Sequence, residues 1–261
     1  MKPASVSFIG SGNVAWHLAP ALDNVGYAVR EVYSARKKNA AALSDRLYQS
    51  IVKDSLDFSD SPSDIFIIAV PDDAINEVVK SITLPPDALL VHTSGSKPLQ
   101  ILENNNEWTK GVFYPLQTFT KNRKIDLETV PFFIESDDPS VERRLMAMAK
   151  TIGKNVIKIS SQDRKIIHVA AVFASNFTNH MLSLSKDIMT AHGLNFDHLK
   201  PLIAETLNKS LAIGPEHAQT GPARRGDLEV LDNHLALLQE DEAVAEIYKV
   251  VSQHILNRYS D

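Results

Sequence analysis

Two hydrophobic rhythms divide the chain. As far as Ser160, apolar runs of strand length recur at residues 6–9, 29–33, 65–70, 89–92, 111–114, 132–135 and 156–159. Between them, apolar positions return at the three- and four-residue spacing of amphipathic helices, over 13–25, 38–48, 72–81, 98–104 and 139–152. Pro85-Pro86 and Pro131 mark loop exits. Strands that alternate with helices predict an α/β unit, a doubly wound, mostly parallel sheet covered on both faces. Beyond Ser160 no strand-like run remains. Residues 163–192 read as one unusually long helix closed by Gly193. A helix from Pro201 to Ile213, a Gly/Pro-rich loop over 214–227 and a last helix over 240–258 follow. The expected domains are therefore 1–160, α/β, and 161–261, all-helical, with an active site in the cleft between them.

The first strand runs directly into Gly10-Ser11-Gly12-Asn13-Val14-Ala15, a G-x-G-x-x-A turn between strand and helix. Gly10 permits the tight turn, Gly12 lets a pyrophosphate approach the backbone, and Ala15 lets the helix lie close to the sheet. In that context the motif is the dinucleotide fingerprint of a Rossmann domain, with Gly10, Ser11, Gly12, Asn13 and Val14 at the phosphates. At the end of the second strand, NAD-binding units carry an acid for the ribose hydroxyls. Here Ser34 takes that place, and Arg36 and Lys37 follow with a fork and a charge suited to a phosphate. This pattern favours NADP (NADPH) over NAD; Glu31 lies inside the strand and points elsewhere. Ala69, Val70 and Pro71 close the strand that supports the middle of the dinucleotide, with Thr93 beside it at the end of another strand. Asp72 reads as an acid in the first turn of the next helix.

Three segments suggest chemistry. His92-Thr93-Ser94-Gly95-Ser96 ends a strand at the edge where parallel sheets hold ligands. Ser94 either orients a substrate oxygen or caps the next helix. On the long helix, a turn of about 100° per residue brings His168, Ser175, Asn176 and Asn179 to one side and Phe173, Phe177 and Leu184 to the other. A stripe of His, Ser and Asn without Lys or Glu suits a cleft, where His168 relays a proton and Asn176 or Asn179 holds the substrate. It equally suits hydrogen bonding between helices. In the loop 220–227, Arg225 binds an acidic substrate group or pairs with Asp227 as a clamp.

Bulk properties narrow the alternatives. A net charge of −5 disfavours nucleic acid or an anionic membrane surface as partner. The absence of cysteine excludes disulfides, thiolate catalysis and cysteine-ligated metals and fits a cytoplasmic setting. No apolar run approaches membrane-spanning length, and no charged-then-apolar leader precedes the first strand. The nine histidines are scattered, without metal-ligand spacing, so no metal is expected.

The fingerprint, His92 to Ser96, Tyr114-Pro115-Leu116-Gln117-Thr118-Phe119, the helix from His168 to Asn179 and the segment Thr220 to Asp227 occur in that order. Together they resemble the Rossmann-like DUF2520 family of NADP oxidoreductases over nearly the whole chain. More distantly the chain is similar to pyrroline-5-carboxylate reductases, 6-phosphogluconate dehydrogenases and other β-hydroxyacid dehydrogenases. The resemblance implies a C-terminal domain of the 6-phosphogluconate-dehydrogenase type that forms a homodimer. It also implies hydride transfer between NADP(H) and a small polar substrate, carboxylated in one version. Two departures separate the chain from those relatives. The long helix lacks the lysine–asparagine spacing and glycine-rich approach of the β-hydroxyacid enzymes, and the S-G-S-G-P-A stretch of the pyrroline reductases is missing. An imine reductase like the latter and a dinucleotide-binding sensor without chemistry are the competing expectations.

Overall fold

In the computed structural model, which describes residues 4–103 and 108–259, the chain forms two compact units, Met1–Asn176 and Phe177–Asp261. The first unit is built on a sheet of β1 (Ser5–Ile9), β2 (Ala28–Tyr33), β3 (Ile51–Lys53), β4 (Ile65–Ile68), β5 (Leu89–His92), β6 (Thr109–Pro115), β7 (Pro131–Glu135) and β8 (Asn155–Lys158). Their order is β3-β2-β1-β4-β5-β6-β7-β8, parallel throughout except for the β6–β7 pair. Helices α1 (Asn13–Asn24), α2 (Lys37–Ser44), α3 (Ile75–Ser81), α4 (Pro139–Lys150) and α5 (Ser161–Ala171) complete it.

Strand periodicity sets the two faces. Val6 and Phe8 of β1 with Ile65 and Ile67 of β4 join Leu18, Leu22 and Leu43 of α1 and α2 and Leu145 and Met148 of α4 in one apolar layer. Phe66 and Ile68, pointing the other way, meet Ile75, Val78 and Val79 of α3 and the 3₁₀ turn Leu99–Leu102. With both faces covered, β4 is buried along its whole length and reads as a continuous apolar run. Pro20 sits inside α1 and has no N–H for the Trp16 carbonyl; the Arg46 guanidinium donates to that carbonyl instead.

The seven expected strands are present, and the sheet is mostly parallel as expected. β3 is additional, a three-residue edge strand whose Ile51 faces solvent. The expected helix over 72–81 begins at Ile75, and that over 98–104 is the short 3₁₀ turn; residue 104 lies outside the described residues. The long helix is composite. A π-helical segment, Val172–Phe177, separates α5 from α6 (Thr178–Ala191).

The second unit consists of α6, α7 (Lys200–Ile213), α8 (Pro215–Ala218), α9 (Pro222–Arg225), α10 (Leu228–Leu237) and α11 (Glu242–Tyr259). The loop expected over 214–227 thus contains two short helices, and α10 was not anticipated. Gly221 and Gly226, at φ +107° and +68°, bracket α9 in backbone that side chains disfavour. Among the described residues of this unit only Ala223 and Leu231 are fully buried.

Candidate active site

The C-terminal edge of the sheet holds a cleft of about 390 Å³. Gly10, Ser11 and Gly12 after β1, Ser34 after β2, and Ala69, Val70 and Pro71 after β4 line it. β1 and β4 are neighbours on opposite sides of the point where the winding reverses, the place at which an open parallel sheet takes a ligand. Gly10 is required by shape, because φ is +111° and a Cβ would lie 2.3 Å from the Ala69 carbonyl oxygen. Gly12 has an ordinary φ of −73°, and a Cβ there would come no nearer than 3.7 Å to that oxygen. Its lack of a side chain instead leaves room over the start of α1. No side chain caps that start, and the first turn contains no acid. The leading N–H groups and the positive end of the helix dipole are left for an anion, so these residues fit a dinucleotide pyrophosphate. Asn13 opens α1, Val14 packs half-buried on the core, and Ala15 is fully buried against the sheet.

At the nucleoside end, Arg36 is the exposed N-cap of α2, and Lys37 pairs with Asp54 at 2.6 Å. Glu31 is buried and accepts hydrogen bonds from Ser7 Oγ at 2.7 Å and from Ser61 Oγ, so it does point away. Asp72 does not cap α3, whose N-cap is Ala74 without a side-chain bond; its carboxylate accepts from Ser96 Oγ. Thr93 Oγ1 donates to the Ile68 carbonyl at 3.2 Å and ties β5 to β4.

A second cavity, of about 550 Å³, is lined by Tyr114, Leu116, Gln117 and Thr118 of β6 and the loop after it, by Ile167 and His168 of α5, and by Ser175 and Asn176 of the π segment. Tyr114 lies near the C-terminal end of a strand parallel to β5, so this cavity opens on the same edge of the sheet as the cleft. Tyr114 Oη lies 3.1 Å from His168 Nδ1, with the two rings edge-on. The Gly95 backbone touches both, since a Cβ there would sit 2.5 Å from Nδ1 and 2.8 Å from Oη. Burial foremost raises the Tyr114 pKa; Arg164 opposes that shift and Asp72 adds to it.

Arg164, one turn before His168, holds this floor in place. It is fully buried and donates to the carbonyls of Ser94 at 2.7 Å, Gly95 at 3.3 Å and Lys97 at 2.8 Å. Its other terminal nitrogen donates to Glu135 Oε2 at 2.9 Å and Ser161 Oγ at 3.2 Å. Ser94 Oγ accepts from the Ser96 and Lys97 N–H groups, which is the capping alternative. His92 Nδ1 accepts from the Ser94 N–H at 3.1 Å, and burial, followed by the Arg164 charge, lowers the His92 pKa to about 3.

The π segment revises the helical stripe. Turning 100° per residue assumes an uninterrupted α-helix, and that arithmetic lapses at Val172. Ser175 and Asn176 do share the cavity with His168, whereas Phe173 and Phe177, expected on the core side, are 64% and 46% exposed. Asn179 is an exposed residue of α6 in the second unit. Arg225 is exposed on α9, and the expected pairing with Asp227 is replaced by Asp227 Oδ1 accepting from the Val230 N–H at 3.3 Å to cap α10. Among the described residues no cluster of His, Asp and Glu could hold a metal ion, and no helix is long and apolar enough to cross a membrane.

A family model described as NADP oxidoreductase coenzyme F420-dependent matches residues 5–95, and the domain of unknown function DUF2520 matches residues 130–255. The crystal structure of a "putative NADP oxidoreductase" from Bacteroides fragilis is 36% identical, with a TM-score of 0.90 over 98% of this chain and 99% of that one. The chain belongs to the Rossmann-like DUF2520 family of NADP oxidoreductases. Two further structures share the fold at low identity. A reductive aminase from Aspergillus terreus in complex with NADPH and ethyl levulinate has a TM-score of 0.72 at 12% identity, covering 97% of this chain and 92% of its own. An imine reductase from Myxococcus stipitatus in complex with NADP+ has a TM-score of 0.66 at 16% identity, covering 98% and 100%. No protein of curated function matches the chain by sequence.

In this DUF2520 oxidoreductase four site residues escaped the sequence reading. Tyr114 stood inside a recognised segment, but its phenol gave no local sign of pairing with a histidine 54 positions later. Gly95 stood inside the His92–Ser96 segment without a role of its own, and nothing local singles out Arg164. Lys121, which lines the dinucleotide cleft and lies 4.6 Å over the Trp16 ring, sits in an unpatterned polar loop.

Proposed function

We propose that this DUF2520 protein transfers a hydride between NADP(H) and the carbon of a carbonyl or imine in a small substrate held in the cavity beside Tyr114, His168 and Asn176. The observation that carries this reading is that a fingerprint cleft and a cavity lined by His168 and Tyr114 open on one edge of one sheet. Bound NADPH supplies the hydride; the chain's residues bind, orient and move the proton. Gly10, Ser11, Gly12 and Asn13 hold the pyrophosphate, Ala69, Val70 and Pro71 support the middle of the dinucleotide, and Ser34 and Arg36 receive the 2′-phosphate. Asn176 hydrogen-bonds the substrate heteroatom, and His168 relays the proton that accompanies the hydride. Apart from His168 the cavity lining is uncharged and its walls are largely apolar, which suits a small neutral carbonyl or imine. Arg225 would serve only a carboxylated substrate, and Ser94 is given a supporting role because its oxygen is engaged by backbone N–H groups.

A homodimer and a cytoplasmic setting are part of the same reading. Two fully buried residues cannot stabilise an 85-residue helical unit, and Leu202, Leu211, Leu237 and Val250 are exposed, Leu211 at 87%. A second copy of the chain covering these faces supplies the missing core.

The test is a fluorescence titration with NADPH and NADH, followed by NADPH consumption across carbonyls and carbonyl–amine mixtures. Selective NADPH binding with turnover is expected, and Arg36→Ala should weaken NADPH about 10- to 100-fold while leaving NADH unchanged, as loss of a charge-assisted phosphate contact would. Tight NADPH binding with no turnover on any substrate would favour the sensor. Light scattering on the same sample should give twice the chain mass.

A further inference from the structure

We propose that Tyr114 is the group that delivers the proton to the substrate heteroatom, and that His168 acts through it as the proton reservoir. This rests on the hydride-transfer reading above.

The geometry singles out the phenol. Both side chains line the cavity, and His168 turns Nδ1 toward Tyr114 Oη at 3.1 Å, so a proton on Nδ1 reaches the substrate through that hydroxyl. Tyr114 is almost fully buried at the end of β6, whereas His168 is half-buried and can exchange protons with water. Only glycine at position 95 leaves space for the pair, since a Cβ there would lie 2.5 Å from Nδ1 and 2.8 Å from Oη, and Arg164 holds the Gly95 carbonyl from beneath. Burial keeps the phenol protonated, as a donor must be. The charged groups around the pair are Arg164 of α5, which eases formation of phenolate, Asp72 after β4, which opposes it, and Glu135 of β7, which is bound to Arg164. His92 beneath the same loop is held neutral.

In the reducing direction, the substrate carbon accepts the hydride and its two electrons from the reduced nicotinamide. The C=O or C=N π pair moves to the heteroatom, which takes the Tyr114 Oη proton. The phenolate then takes the Nδ1 proton of the His168 imidazolium, and neutral His168 is reprotonated by water. In the oxidising direction each transfer reverses. Reduction takes up one proton through this relay and oxidation releases one, so raising the pH slows the first and speeds the second.

The experiment compares wild type, Tyr114→Phe and His168→Gln. NADPH affinity serves as the control for folding, and imidazole titration by ¹⁵N NMR provides a readout independent of turnover. Tyr114→Phe should retain NADPH binding, lower kcat by about 10²-fold or more, flatten the pH profile and shift the His168 titration. His168→Gln should lower kcat less and remove the same pH dependence. Turnover and pH profile preserved in Tyr114→Phe, or a His168 titration indifferent to that substitution, would overturn the assignment while leaving the hydride-transfer reading intact. Wild-type protein that binds NADPH and reduces no substrate would overturn both.

Discussion

Arg164→Met tests whether one buried charge holds the floor of the site. The substitution keeps an unbranched stem, removes the guanidinium and with it five hydrogen bonds, three to the carbonyls of Ser94, Gly95 and Lys97 and two to Glu135 and Ser161. Arg164 is fully buried and Glu135 nearly so, so the carboxylate is stranded where water reaches it poorly. Breaking a buried pair from one side costs about 3–5 kcal/mol, a large part of the roughly 5–15 kcal/mol that stabilises a typical domain. With a urea dependence of about 1–3 kcal/mol per molar, the unfolding midpoint should fall by roughly 1–5 M. The two tryptophans, Trp16 and Trp108, both belong to the Met1–Asn176 unit, so selectively excited tryptophan fluorescence follows that unit. A midpoint shift below about 0.5 M at unchanged slope would refute the reasoning. Adding Glu135→Leu separates the contributions, because replacing both charges removes the stranded carboxylate. Substantial recovery assigns the cost to Glu135; none assigns it to the three loop carbonyls.

Other outcomes follow from single positions. Gly10→Ala should both unfold more readily and lose NADPH, because φ +111° and a 2.3 Å approach to Ala69 forbid a Cβ, whereas Gly12→Ala should keep its thermal midpoint and lose only NADPH affinity. Melting curves paired with fluorescence titrations check this, and equal stability losses in the two variants would contradict it. His92, with a pKa of about 3 in the folded chain, should make stability depend on acid. Its contribution is present above the unfolded value of about 6.5 and lost at about 1.4 kcal/mol per pH unit as pH falls toward 3. An NMR titration of His92 with a midpoint near 6 would negate that slope.

What was legible in the sequence was what local physics decides. Gly10 needs no partner to announce itself, since the strand before it, the helix after it and the spacing to Gly12 are contiguous. The buried strands β1, β4 and β5 read as apolar runs because both of their faces are covered. The residues proposed to hold the cofactor were legible for the same reason. The proposed catalytic group was legible only in part, because His168 and Asn176 stand near each other along the chain whereas Tyr114 and Gly95 come from the ends of two strands.

Tertiary structure alone settled the rest. Three-residue β3 is too short to show a period and exists because β2 pairs with it. The π segment at Val172–Phe177 interrupts the uniform 3.6-residue turn from which the helical faces are read, and Phe173, expected in the core, is 64% exposed. Composition marks an arginine as exposed, and only the convergence of three loop carbonyls and Glu135 supplies enough hydrogen bonds to hold Arg164 without water. Sequence determined the elements and the phosphate cradle, because those depend on neighbours along the chain. The Tyr114–His168 pair and the buried charge beneath it depend on neighbours across the sheet, and only the folded chain makes them neighbours.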